Sequence, residues 1–184
     1  MSFELPGNAM VGLTRDAFNA LHAALFRETG GNAASYLQEA GYAGGGALHA
    51  AFARWCADRG APVPEDLAAP DFSQRASEFF SALGWGPVTV EMLHDAVIAI
   101  DAPDWAESSP GGAMQFPGCY LSSGMLADFF SRLANAQLVA MEVECRSMGH
   151  ERCRFLLGSA ETMQHLYDAM TQGVAYDGAL ASMP

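Results

Sequence analysis

Three of the four cysteines of this 184-residue chain, Cys119, Cys145 and Cys153, fall in its last third, and Glu142 stands three residues before the middle one. Leu138 to Arg146 and Arg152 to Leu157 read as the two arms of a hairpin. A three-residue loop, Met148-Gly149-His150, places Cys145 opposite Cys153, with glycine supplying the positive φ such loops need. Both cysteines are then expected on the core side, the face also assigned to Val139, Met141, Val143, Phe155 and Leu157. Cys119 opens a helix, where the dipole favours the thiolate that a metal requires. Three thiolates and one carboxylate make a soft four-donor set that suits zinc, with Zn–S near ~2.3 Å, and a closed shell implies a structural ion. Arg146, Arg152 and Arg154 are expected to offset its negative charge.

Strand parity complicates this set. In a regular strand Glu142 and Cys145 point to opposite faces, so the carboxylate reaches the same ion only across a bulge or a strand end. Glu144, His150 and water are the alternatives for the fourth position. The blander reading makes the cysteines small buried hydrophobes. A Cys145–Cys153 disulfide fits the geometry but not a reducing compartment. Cys56, beside Trp55, reads as a buried helix thiol.

The rest of the chain bounds what surrounds this set. Thr14 is an N-cap for a helix with Phe18, Leu21 and Leu25 on one face, closed by Gly30-Gly31. A second helical stretch runs from Asn32 to Glu39 and breaks near Gly41. Gly44-Gly45-Gly46 reads as a joint before a helix from Ala47 to Asp58. Ala61 to Pro70 is a surface loop, and Asp71 caps a helix carrying Phe72, Ala76, Phe79, Phe80 and Leu83. Two short strands follow, Val88 to Met92 and Ala96 to Ile100, joined near His94-Asp95. Asp101 to Gln115 is loop. A helix from Cys119 to about Ala134 carries Leu121, Met125, Leu126, Phe129 and Leu133. Ser159 caps a last helix with Met163, Leu166, Tyr167 and Met170, and Gly173 to Pro184 is expected as a flexible tail. The order implies one α+β domain, helices packed on a small twisted antiparallel sheet.

All nine basic residues are arginine, against 21 acidic ones, for a net charge of −12. Without a lysine there is no P-loop and no Schiff base. The acidic balance argues against nucleic acid and against anionic membrane surfaces. Met1 to Met10 does not read as a signal peptide, and no stretch has the ~20 apolar residues of a membrane span, so a cytoplasmic protein is expected. Catalytic motifs such as Gly-x-Ser-x-Gly, His-Glu-x-x-His and a dinucleotide fingerprint are missing, so binding is favoured over catalysis.

The run Gly118-Cys119-Tyr120, then Glu142-Val143-Glu144-Cys145-Arg146-Ser147-Met148-Gly149, then Cys153-Arg154-Phe155 resembles the 4-vinyl reductase domain family. The resemblance implies the fold of the TRAPP trafficking subunits, often dimeric. It also implies a structural zinc held by Cys119, Glu142, Cys145 and Cys153, which favours Glu142 as the fourth ligand. Members include sensor domains of bacterial activators that detect phenols and proteins implicated in bacteriochlorophyll synthesis. The function expected from it is a sensor or carrier module for a hydrophobic or aromatic small molecule, as a homodimer. The alternatives are an accessory protein or reductase for a tetrapyrrole pigment, and a ligand-free dimeric scaffold. Candidate pocket residues are Phe79, Trp85, His94, Trp105, Phe116 and Tyr120; His94 and Trp105 are the two suited to hydrogen-bond a phenolic or carbonyl oxygen from an apolar wall.

Overall fold

A computed structural model describes residues 10–109 and 114–183. Residues 1–9, most of the stretch read as lacking a leader, lie outside the described residues, as do 110–113 of the loop and Pro184 at the end of the expected tail.

Alternating apolar residues build four strands, β1 (Thr89–His94), β2 (Val97–Ala102), β3 (Val139–Glu144) and β4 (Cys153–Gly158). They form one antiparallel sheet in the order β1-β2-β4-β3. The sheet is covered on both faces, which is why all of β4 is buried. On one face Ile100, Ala102, Phe155 and Leu157 join a core with residues of α2 (Asn32–Ala57), α3 (Ala69–Ala82) and α4 (Tyr120–Ala134). On the other, Val97, Ala99 and Leu156 meet α5 (Ala160–Thr171) and α6 (Tyr176–Ala181). α1 (Arg15–Thr29) lies outermost, without a single fully buried residue.

The expected caps form where a side-chain oxygen can reach a free N–H. Thr14 accepts from the N–H of Ala17, and Ser159 from that of Thr162. α3 starts two residues before Asp71, because Pro70 occupies its first turn, where a missing N–H costs nothing. Leu21 and Tyr167 turn outward instead of joining their helices' packed faces. The terminal segment folds back as α6 with Ala179 and Leu180 buried, in place of the expected tail.

Two differences matter more. α2 runs unbroken for 26 residues through Gly41 and Gly44-Gly45-Gly46. Those glycines give α4 room. A Cβ on Gly41 would sit 1.9 Å from the Leu121 carbonyl oxygen, and one on Gly124 would sit 2.0 Å from that of Gln38. α4 is consequently buried continuously from Ser122 to Phe130, a central helix packed on α2 and on the sheet. Asn135, with φ of 47°, ends it in the left-handed cap.

The second difference is a face. The pairing of β3 with β4 shifts by one residue between Glu142 and Glu144. Ala140 and Glu142 therefore share the helix-covered core with Cys153, Phe155 and Leu157, while Met141 and Val143 pack toward α5 and α6.

The glycine seam makes opposite predictions for two positions one turn apart. Gly44 faces open space, so Gly44→Ala is expected to stabilise by up to about 1 kcal/mol through helix propensity. Gly41→Ala drives a methyl into backbone and should cost about 1–3 kcal/mol net. Urea unfolding of the two variants reads both signs.

Candidate metal centre and adjoining cavity

The bulge resolves the parity problem. One extra residue in β3 brings Glu142 and Cys145 to the same face, so Cys119, Glu142, Cys145 and Cys153 converge with ligand atoms all within 4.8 Å of one another. All four residues are buried. Cys119 Sγ stands 3.8 Å from Cys153 Sγ and 4.0 Å from Cys145 Sγ. That is far beyond an S–S bond of ~2.05 Å and close to the ~3.8 Å edge of a tetrahedron with Zn–S of ~2.3 Å.

Glu142 ties the group to α4. Its Oε2 accepts the Cys119 N–H at 2.9 Å, while its Oε1 is buried without a hydrogen-bond partner. An orphaned carboxylate oxygen aimed among three thiols fits a metal ion and is costly otherwise. Burial pushes the Glu142 carboxyl up to about 8, helped by the charge of Cys145. Hydrogen bonds with the neighbouring cysteines, then burial, raise the Cys119 thiol, whereas Cys145, which accepts those bonds, is lowered. Metal-free, the four groups cannot all ionise together; a dication removes that conflict.

The charge is not offset by arginine. Arg146 pairs with Asp104, Arg152 with Glu144 and Asp101, and Arg154 makes two 2.6 Å bonds to Asp101 on the sheet's other face. Hydrogen bonds from the Gly118 N–H and the Ser147 side chain to Cys145, and from the Arg146 N–H to Cys153, serve instead. His150 is not a ligand either: its Nδ1 accepts the Cys145 N–H at 3.0 Å and clamps the hairpin loop.

A second buried carboxylate, which the sequence pattern does not reveal, holds the same helix end. Glu107 accepts the N–H of Leu121 at 2.9 Å and of Ser122 at 2.7 Å, and the Ser122 hydroxyl as well. His22 of α1 brings Nε2 to 3.3 Å from it, and Trp105 donates its indole N–H to Ser122 Oγ at 2.6 Å. Glu107 stands in a Pro- and Ser-rich loop without periodicity; only its place ahead of a helix start hints at an anion for the first turn.

A cavity of about 590 Å³ opens between α1, α2 and the first turns of α4. Of the six proposed pocket residues, Trp85 lines it. Trp105 is fully buried between Trp85, Phe80 and Phe155, and Phe79 lies in the core against Phe52. Tyr120 packs on Phe26, His94 accepts the Ala96 N–H in the β1–β2 turn, and Phe116 is 70% exposed. The six are thus not brought together. Sequence spacing alone does not mark Leu48, Leu121 and Met125 as cavity walls rather than core.

Residues 109–159, which hold all four candidate ligands, match the family model of the 4-vinyl reductase domain, in line with the resemblance carried by the cysteine and glutamate run. Two solved structures share the fold. The phenol-responsive sensory domain of the transcription activator PoxR, crystallised with phenol, aligns at TM-score 0.59 and 18% identity over 91% of this chain and 83% of that one. A vinyl-4-reductase family protein from Methanocaldococcus jannaschii aligns at TM-score 0.51 and 15% identity over 80% and 82%. No curated protein matches the sequence. Among the described residues no helix is long and apolar enough to cross a membrane.

Burial raises the Glu107 carboxyl from 4.5 to about 7, against the hydrogen bonds of Ser122. A folded-state value above the unfolded one means the native protein binds the extra proton, so this contribution to stability is lost as pH rises toward about 7. Relative to Glu107→Gln, the wild type should lose stability between pH 4.5 and about 7. Denaturant midpoints of the pair across that range test the sign.

Proposed function

We propose that this chain is a sensor or carrier module that binds an apolar or aromatic small molecule in the cavity beside α4, with a structural zinc on Cys119, Glu142, Cys145 and Cys153. The observation that carries the reading is the cavity itself. Its volume of about 590 Å³ lies in the range of small-molecule sites, and its walls are mainly apolar. A ligand-free scaffold has no use for such a space, since unfilled apolar volume forfeits packing energy.

The metal's part is architectural. Four protein ligands close the shell, leaving no open position for substrate, and zinc there supplies charge neutralisation and a rigid cross-link. Cys119 and Leu121 belong to one helix turn, so the element fixed by the metal also forms the cavity wall. The likeness to a phenol-responsive sensory domain supports an aromatic ligand class.

The neutral fluorescent probe N-phenyl-1-naphthylamine tests the site. It should bind the full chain saturably, with energy transfer from Trp85, and lose binding in Gly44→Phe. Gly44 lines the cavity and has open space before it, so the ring fills the site without disturbing the core. No binding by the wild type, or unchanged binding by the folded variant, contradicts the reading.

A further inference from the structure

The cavity has a chemical asymmetry that narrows its ligand. Phe18, Leu48, Trp85, Leu121 and Met125 give it apolar walls, and among the described lining residues Arg15 is the one charged side chain. This occurs in a chain with 21 acidic residues and nine basic ones. The Arg15 side chain is 46% exposed, which places it at the solvent edge. It is held there by Asp104, at 3.0 and 3.3 Å, and by the Gly84 carbonyl at 3.4 Å.

Asp104 does not cancel the charge at this edge, because Arg146 also donates to it, at 3.3 Å. Two guanidiniums share one carboxylate, leaving one positive charge in excess. Asp16, next to Arg15, is exposed and is not a lining residue. The first turn of α1 ends at the same edge and adds a partial charge of the same sign. The cavity volume suits a body larger than a single ring.

We infer that the ligand is an amphipathic organic anion, its apolar body against Trp85 and Met125 and its acidic group on Arg15. The inference rests on the reading of this cavity as the ligand site. A guanidinium pre-positioned by Asp104 and Gly84 meets a carboxylate or sulfonate without first being ordered, and at the rim of an apolar space the pair is less screened than in water.

Two probes with one ring system separate this inference from the reading beneath it: N-phenyl-1-naphthylamine, which is neutral, and 8-anilinonaphthalene-1-sulfonate, which carries an anion. The wild type should bind the sulfonate about tenfold more tightly than the amine. Arg15→Gln should erase that preference while leaving the neutral probe's Kd unchanged. Arg15→Lys should keep most of it, and Arg27→Gln, on the same helix in a pair with Glu28, should keep all of it. Equal affinities in the wild type, or a preference that survives Arg15→Gln, overturn the anion and leave the cavity standing. Failure of the neutral probe to bind overturns the cavity reading as well.

Discussion

The first turn of α4 is held by two buried glutamates, and the rest of the molecule is arranged around that hold. Glu142 reaches it from β3 through the Cys119 N–H, and Glu107 reaches it from the loop after β2 through Leu121 and Ser122. A helix N-terminus exposes unsatisfied N–H groups and a partial positive charge, so two carboxylates are its natural partners. Burying them is expensive unless something further balances the charge. For Glu142 that balance is a metal shared with three cysteines. For Glu107 it is the Ser122 hydroxyl, the helix N–H groups and His22 of α1, whose own pKa is lowered by burial.

Fixing α4 at this end determines what can pack along it. The helix passes against α2 so closely that Gly41 and Gly124 leave no space for side chains. The glycines cost helix propensity, and the backbone-to-backbone approach offsets that cost with contact along the seam. Toward the outside, the same small residues leave a shallow floor that α1 spans without burying itself. The cavity is thus a consequence of glycine in α2 together with a loosely seated α1, and its polar edge comes from the Arg15–Asp104–Arg146 chain, which ends one residue from Cys145.

Much of this is legible in the chain. The caps at Thr14 and Ser159, the alternation in β1 and β2, and the extent of α4 follow from local patterns, because the interactions that set them lie within a turn or a strand. Gly44 to Gly46 mislead for the complementary reason: what keeps α2 helical there is a partner helix about eighty residues away, invisible to propensity. Strand parity puts Met141 and Val143 on the wrong face because a one-residue bulge inverts it. The same bulge brings Glu142 to the cysteines, so one irregularity explains an error and a correct expectation. Arg154 misleads by adjacency, since neighbouring residues in a strand face opposite ways. Glu107 leaves no periodic trace at all, and the cavity depends on how three distant segments meet.

The central claim is that three sulfurs and one carboxylate oxygen hold a zinc ion that joins α4 to the β3–β4 hairpin. Zinc K-edge X-ray absorption on the purified full chain, with metal content measured on the same sample, addresses it most directly. The account predicts one zinc per chain with three sulfurs near ~2.3 Å and one oxygen near ~2.0–2.2 Å. A folded protein free of zinc, or a shell of nitrogen and oxygen alone, would contradict it.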